Sequence, residues 1–266
     1  MKKILASLSL VALLLASCSA PQQKTFVERH HFHGDIVSIT DSVWSASEWL
    51  DKVHQEQLQA VIQWVVNAEG QLDSYAVYNA EGGLLNQEVN EWSDRYRLNT
   101  VNQFGLGGKL RCRSVYIYEG DRLDTIVNQY DTQEVEFLVH RYEAGRLATV
   151  EGTMAGRSKV SRFSFLSDGS YTVMDTSYDG QTTTDTYNAD GQIVRSDMTS
   201  ESWQQTYNDD GLLIQTTHTA PFRCVVDTYE YTFDTHGNWT TSIRRRREGD
   251  KAPSVDQYTQ RTIVYR

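Results

Sequence analysis

Cys18 carries a thiol that could accept a covalent group, and it stands directly after an apolar stretch near the start of the chain. A basic start precedes residues 4–16, which are almost wholly apolar. A helix of that length spans about 20 Å, which is too short for a hydrocarbon core of about 30 Å. Because Ala16 and Ser17 are small, as a cleavage site requires, we predict an export signal peptide over residues 1–17.

The segment Leu15-Ala16-Ser17-Cys18 resembles the lipobox of bacterial lipoproteins. The resemblance implies that the Cys18 thiol receives a diacylglyceryl group and that cleavage leaves Cys18 as the first residue. The lipid would anchor the protein in the bacterial cell envelope. Ser19 stands where an inner-membrane retention aspartate would otherwise stand, which favours the outer membrane and its periplasmic face. The alternative is an ordinary secretory signal followed by a chance cysteine.

Three histidines close together, His30, His31 and His33, are the nearest approach to a metal site in the sequence. On a strand, His31 and His33 would share a face, and zinc binds imidazole nitrogen. Only Asp35 is close enough in the sequence to complete the ligand set. His31 and His33 are therefore metal candidates, while the incomplete ligand set favours a polar linker or an edge strand.

Several carboxylates beside glycines could bind calcium or act as catalytic acids. They are Glu69, Glu81, Asp190, Asp209 and Asp210. Calcium loops place several oxygen ligands at alternate positions, whereas each of these segments has one or two acids, so we predict no cofactor. The sequence lacks the motifs of hydrolases, metalloproteases and nucleotide-binding enzymes. We therefore predict a protein that is not an enzyme, and a glycan-acting enzyme is the alternative that the abundant carboxylates leave open.

The chain has a net charge of −10, and such an acidic protein is repelled by the phosphates of nucleic acids. The run Arg244–Arg247 opposes this trend. Alternate arginines of a strand point to opposite faces, and Glu248 and Asp250 follow at once. We predict that no nucleic acid binds and that the arginines pair locally with carboxylates. An acidic partner at the arginines is the alternative.

One recurring pattern specifies the elements that carry these residues: a large apolar residue, three turn-forming residues, glycine, any residue, and a second large apolar residue. The pattern occurs at Val66–Leu72, Tyr78–Leu84, Phe104–Leu110, Phe165–Tyr171, Tyr187–Ile193, Tyr207–Leu213 and Phe233–Trp239, with shorter versions at Tyr118–Leu123 and Tyr142–Leu147. Asn, Asp or Glu beside Gly is typical of hairpin turns, because glycine tolerates positive φ. Tyr229, Tyr231 and Phe233 alternate with polar residues before one such turn, so each unit predicts a β-hairpin.

These units resemble the YD or RHS-type repeats, whose core reads tyrosine-aspartate-x-x-glycine-arginine-leucine. The resemblance extends over roughly residues 60–240, and Tyr187–Ile193, Tyr207–Leu213 and Phe233–Trp239 match best. Asn replaces the repeat's Asp after Tyr187 and Tyr207. The resemblance implies a small Bacteroidetes-type lipoprotein of unknown function that carries a few β-hairpins.

We predict an all-β protein, an antiparallel meander of β-hairpin repeats that forms an elongated, curled sheet. Residues 18–33 are predicted as a polar tether and residues 34–266 as the sheet domain, with residues 45–60 open to a short helix or a strand. Cys112 and Cys224 test this fold. Several hairpins separate them, and at about 4.8 Å per strand an open sheet would hold them roughly 40 Å apart. A disulfide needs Cα atoms within about 7 Å, so the sheet would have to close.

The expected function follows from the surface that such a sheet exposes. The chain has 15 Tyr and 6 Trp, which a single open sheet cannot easily bury. We predict a non-catalytic binding or scaffold module for another protein at the membrane. The alternative function is a carbohydrate-binding module that uses exposed rows of aromatic residues. The same aromatic residues could instead pack across neighbouring strands and serve only to stabilise the sheet.

Overall fold

The computed structural model describes residues 24–266, so the predicted signal peptide and Cys18 lie outside the described residues. One helical turn, α1 (Phe26–Arg29), precedes eighteen strands. The strands are β1 (Ile36–Trp49), β2 (Lys52–Val66), β3 (Leu72–Asn79), β4 (Leu84–Trp92), β5 (Leu98–Phe104), β6 (Leu110–Glu119), β7 (Arg122–Tyr130), β8 (Val135–Glu143), β9 (Arg146–Met154), β10 (Arg157–Phe165), β11 (Tyr171–Thr176), β12 (Thr182–Tyr187), β13 (Ile193–Asp197), β14 (Ser202–Tyr207), β15 (Leu213–Ala220), β16 (Arg223–Phe233), β17 (Trp239–Glu248) and β18 (Ser254–Tyr265), with a 3-10 turn at Leu106–Gly108. No helix in this part of the chain is long and apolar enough to cross a membrane.

All eighteen strands form one antiparallel sheet, and the sheet is closed. Each strand pairs with its neighbours in the sequence, and β1 also pairs with β18, where Ile39 faces Ile263 and Val43 faces Thr259. The predicted elongated, open sheet is therefore wrong, because the sheet is a barrel. Closure satisfies the backbone groups that two edge strands would otherwise expose.

Every full repeat unit lies at a hairpin turn, and its glycine has a positive φ. Asn208 shows what the residue after the aromatic contributes. Its Oδ1 accepts hydrogen bonds from the backbone N–H groups of Asp210 (3.1 Å) and Leu212 (2.8 Å). Asn67, Asn188 and Asp234 accept the equivalent pairs of bonds in their own turns. Because Asn and Asp both present this oxygen, either residue completes the turn.

The turns alternate between the two ends of the barrel. Turns after even-numbered strands lie at the end where the described chain begins, which we call the near end; the others lie at the far end. Residues 45–60 contain no helix, because β1 and β2 run through them. The two strands meet at the far end in a tight turn in which Leu50 and Asp51 both have positive φ.

Tyrosines that precede near-end turns bond to the barrel wall. Each donates its hydroxyl hydrogen to a backbone carbonyl at the start of a strand in a preceding hairpin. The four bonds are Tyr118 to Leu98 (3.0 Å), Tyr142 to Leu123 (2.9 Å), Tyr207 to Ile193 (3.1 Å) and Tyr231 to Leu213 (2.7 Å). These rings are part of the framework of the barrel. The prediction that such tyrosines form exposed rows for carbohydrate binding is therefore wrong for these four.

Candidate functional site

A cavity of about 460 Å³ lies inside the barrel. Strands β4–β8 supply one part of its wall and β10–β12 supply another, while the chain before β1 covers it at the near end. The apolar lining includes Leu98, Val101, Ile126 and Leu138. Polar side chains converge among them and include Glu88, Asn90, Gln103, Ser114, Glu136 and Lys159. A cavity of this size with mixed lining is typical of a small-molecule site.

Residues 24–34 close the near end of the barrel, and we call them the near-end plug. Phe26 is 7% exposed and packs in a cluster with Ile36, Ile39, Val66 and Leu72. Its backbone N–H donates to the side-chain oxygen of Gln71 (3.1 Å). The plug includes most of the residues that the sequence predicts as a polar tether, but in the described part of that segment the chain is packed into the barrel.

A buried ion pair joins the plug to the seam between β1 and β18. Arg261 donates two hydrogen bonds, each 2.7 Å, to the carboxylate of Asp41, and both residues are buried. The guanidinium also lies 3.4 Å from the ring centre of Trp239 and 5.2 Å from that of Phe32, which belongs to the plug. Cation–π contacts of this kind add to the ion pair. One arginine therefore connects the closing strands, the inner wall and the plug.

Glu136 is a buried carboxylate whose hydrogen-bonding capacity is filled. It is 2% exposed and accepts hydrogen bonds from Asn128 (2.7 Å), Tyr130 (3.0 Å) and Tyr178 (2.6 Å), and it pairs with Lys159 (2.5 Å). Burial alone would raise its pKa, but the bonds from Lys159, Tyr178 and Asn128 outweigh burial and lower the pKa. Tyr178 belongs to a far-end turn, so this cluster holds that turn to the wall.

Glu88 lines the same cavity, but its pKa is shifted in the opposite direction from that of Glu136. Burial raises its pKa, and only the amide side chains of Gln103 and Asn90 act against that effect. The Gln103 amide donates to Glu88 at 3.3 Å. Neighbouring Asn90 donates its own amide hydrogen to the carbonyl of Leu72 (3.0 Å), and its Oδ1 is buried without a partner. Two acceptors with spare capacity thus line the cavity.

Sequence reasoning missed both Glu88 and Glu136. The signal that could have found Glu88 is the alternation Asn86, Glu88, Asn90, Trp92 on β4, which places polar side chains on one face of the strand. Without the knowledge that this face lines an enclosed space, the same alternation describes an ordinary solvated strand.

His31 and His33, the predicted metal candidates, lie in the plug. They line a second cavity of about 320 Å³ together with His30 and Asp210. Within residues 24–266, no group of three or more His, Cys, Asp or Glu side chains is placed to hold a metal ion. The backbone of His33 instead exchanges two hydrogen bonds with the Asn238 side chain (2.8 and 2.7 Å).

The arginine run and the turn carboxylates that the sequence analysis singled out lie outside the lining of the 460 Å³ cavity. Arg244 pairs with Asp256 at 2.8 Å, and Arg246 pairs with Asp227 at 2.8 Å. Arg245 pairs with Glu48 and Glu230. The partners of these three arginines are therefore carboxylates of other strands, while Glu248, which follows the run, pairs with Arg223 and Lys251. The turn carboxylates Glu69, Glu81, Asp190, Asp209 and Asp210 are divided among separate turns, and all five are exposed.

Cys112 and Cys224 are unpaired although the sheet is closed. Cys112 is buried and lines the cavity, whereas Cys224 is exposed. Closure was necessary for a disulfide, but it was not sufficient, because the two thiols lie on different sides of the wall.

The predicted function is wrong together with the predicted sheet. A scaffold or binding module on an open sheet needs a free face and accessible edges, and closure turns one face into an interior and removes the edges. The space that could hold a ligand is inside the barrel rather than on an aromatic outer surface.

No known protein family matches this sequence, and no curated protein gives a significant match. The YD or RHS resemblance therefore stays a prediction. Among solved structures, the fold resembles a porin-like protein from Bacteroides uniformis, with 12% sequence identity and a TM-score of 0.46. The match covers 86% of this chain and 96% of that chain.

Proposed function

We propose that this protein binds a small amphiphilic molecule inside its barrel. The observation that carries the proposal is the cavity of about 460 Å³, which falls within the roughly 300–1,000 Å³ typical of ligand pockets. Leu98, Val101, Ile126 and Leu138 offer an apolar surface, and Glu88 and Asn90 offer hydrogen-bond acceptors. Such a lining suits a molecule with one apolar part and one polar part.

The polar residues of β2 favour a barrel that is surrounded by water. A barrel that spans a bilayer carries an outward apolar band about 25 Å tall. Strand β2 instead exposes four glutamines, Gln55, Gln57, Gln59 and Gln63. Exposed polar residues of this kind would have to lose their hydration in hydrocarbon, which is unfavourable without partners.

We also propose that binding is not coupled to catalysis. Burial raises the pKa of the Cys112 thiol, which keeps it in its less nucleophilic protonated form. Burial likewise lowers the pKa of His30 to about 4, so its imidazole is neutral at pH 7. The acidic net charge supports the proposal that nucleic acid is not a partner.

The location that we propose is the cell envelope, with the barrel attached through lipid on Cys18 to the outer membrane and facing the periplasm. Cells that express the chain and are fed radiolabelled palmitate are expected to label it, whereas Cys18→Ser is expected to abolish the label and to release the protein from the membrane fraction. Cys224→Ser is the control, because an exposed thiol on the barrel wall should not affect labelling. Equal labelling of the wild type and Cys18→Ser would refute the anchor.

The binding proposal predicts that filling the cavity abolishes binding. Val101 is 4% exposed and lines the cavity, so Val101→Trp places a large ring in the space meant for ligand. The probe is N-phenyl-1-naphthylamine, titrated into the full chain in lipid nanodiscs with empty nanodiscs as the blank. The wild type is expected to show saturable one-to-one fluorescence, and Val101→Trp is expected to lose at least about tenfold in affinity, because overfilled sites lose their contacts.

The matched control is Val135→Trp, since Val135 is 38% exposed and precedes the cavity residue Glu136 on β8. This variant should bind the probe like the wild type, and circular dichroism should show that both variants keep their β-structure. Absence of saturable binding in the wild type would refute the proposal. Conductance steps in planar bilayers that Val101→Trp blocks would replace it with a channel.

A further inference from the structure

The polar groups of the cavity are unequally satisfied, and the difference indicates what the ligand carries. Glu136 has four partners, one of them the ammonium group of Lys159. Glu88 accepts one long bond from Gln103, and the Asn90 amide also lowers its pKa, so it has no cationic partner like that of Glu136. The Oδ1 of Asn90 is buried with no partner. A buried acceptor without a donor costs free energy until a donor arrives.

The orientation of the Asn90 amide is set by its surroundings. Its nitrogen donates to the carbonyl of Leu72, which also accepts from the indole N–H of Trp92 (3.0 Å). A flipped amide would place two oxygens against each other, so the free group is an acceptor. Glu88 and Asn90 are two residues apart on β4, and both side chains line the cavity. A ligand that meets both needs at least two N–H or O–H donors.

The charges of the cavity favour a cation as that donor. Among the residues that line it, the acids are Glu88, Glu136 and Asp175, and the bases that are charged at pH 7 are Arg29 and Lys159. Lys159 neutralises Glu136. The lining therefore has one more carboxylate than it has cations, and in an enclosed space of low dielectric constant this imbalance attracts positive charge.

Aromatic rings line the same cavity near these acceptors. Tyr116, Trp92 and Tyr130 contribute to the lining, and Trp92 and Asn90 donate to the same carbonyl of Leu72, which places the Trp92 ring beside Asn90. The faces of Trp and Tyr rings attract organic cations. An ammonium group at Glu88 would therefore meet carboxylate and amide oxygens and at least one ring.

We propose that the ligand is an organic amine, whose ammonium group binds at Glu88 and Asn90 and whose apolar part lies against Val101, Ile126 and Leu138. The inference rests on the proposed function, because it names the ligand class of the same cavity. It adds that recognition depends on positive charge, which a purely apolar site would ignore.

The test compares two probes that share the dansyl group and the five-carbon chain, the fluorescent primary amine dansylcadaverine and its N-acetylated, neutral derivative. Both are titrated into the full chain in nanodiscs, with empty nanodiscs as the blank. The wild type is expected to prefer the amine by about 10- to 100-fold, the range for a hydrogen bond to a charged group. Glu88→Gln should remove this preference, because glutamine removes the charge of the carboxylate and keeps the size of the side chain.

Glu91→Gln is the matched control. Glu91 is on the same strand, but it is not among the residues that line the cavity. Its carboxylate accepts a hydrogen bond from Thr100 (2.5 Å). Loss of preference in Glu91→Gln as large as in Glu88→Gln would overturn the inference in favour of general surface charge. Equal binding of both probes to the wild type would also overturn the inference. The proposal that the barrel binds a small molecule in its cavity would then still stand. Failure of both probes to bind would contradict both proposals.

Discussion

Asp41→Asn is expected to lower the free energy of unfolding by about 3–5 kcal/mol, because it leaves the buried guanidinium of Arg261 without a counter-charge. The two side chains are 5% and 9% exposed and share two hydrogen bonds of 2.7 Å. Asp41 faces Arg261 across β1 and β18, the pair of strands that closes the barrel. The variant therefore weakens the contact on which closure depends.

Urea denaturation followed by circular dichroism measures this effect as a shift of the midpoint at constant slope. The matched control is Asp35→Asn. Asp35 pairs with Arg266 at 2.7 Å at the near end of the same seam, but its side chain is 64% exposed. Exposed pairs contribute about 0–1 kcal/mol, so this control should barely change stability. A loss below about 1 kcal/mol for Asp41→Asn would show that the buried pair does not hold the seam.

The double variant Asp41→Leu with Arg261→Met separates the charge pair from the packing. Replacing a buried ion pair by apolar residues of similar size is often neutral or stabilising, because neither ion then has to be desolvated. We expect the double variant to recover most of the stability that Asp41→Asn loses. Recovery would identify the unpaired charge, rather than altered strand geometry, as the cause of the loss.

Phe26→Ala is expected to release the near-end plug while the barrel stays folded. Removing a buried phenylalanine side chain costs about 3–5 kcal/mol. Here the lost free energy is that which holds a short segment against the barrel, because Phe26 belongs to a helical turn of four residues outside the sheet. Local opening of such a segment does not require global unfolding.

Amide hydrogen exchange reports this opening directly. The N–H groups of Val27, His30 and Phe32 bond to carbonyls within the plug or on the adjoining turn (3.0–3.1 Å), and their exchange should accelerate by roughly two to three orders of magnitude. Exchange in the barrel strands should stay near its wild-type rate. Phe222→Ala is the control, since Phe222 is fully exposed in a far-end turn. Uniform acceleration across all strands would mean that the plug is integral to the barrel.

The local structure of the barrel was predictable from the sequence because it depends on neighbours in the chain. An Asn or Asp oxygen caps two N–H groups within four residues, and glycine supplies the positive φ, so units such as Tyr207–Leu213 specify their turn unaided. The alternation along β16 likewise predicted a strand.

Closure was not predictable, because it depends on contacts between the two ends of the chain. Each hairpin fixes only the next strand, and the summed twist and curvature of all the strands decides whether β1 meets β18. The side chains that secure the seam, Asp41 and Arg261, are separated by most of the sequence. No local pattern distinguishes them from other charged residues of a strand.

The sequence by itself determined the hairpins, which depend on residues that are close in the chain, and the acidic charge. Only the tertiary structure decided which face of each strand is inside. As a result the repeat tyrosines are part of the framework, Cys112 and Cys224 lie on different sides of the wall, and residues 24–33 of the predicted tether are packed into a plug. The tertiary structure also enclosed Glu88 and Asn90, because the interior exists only once the first and last strands have paired.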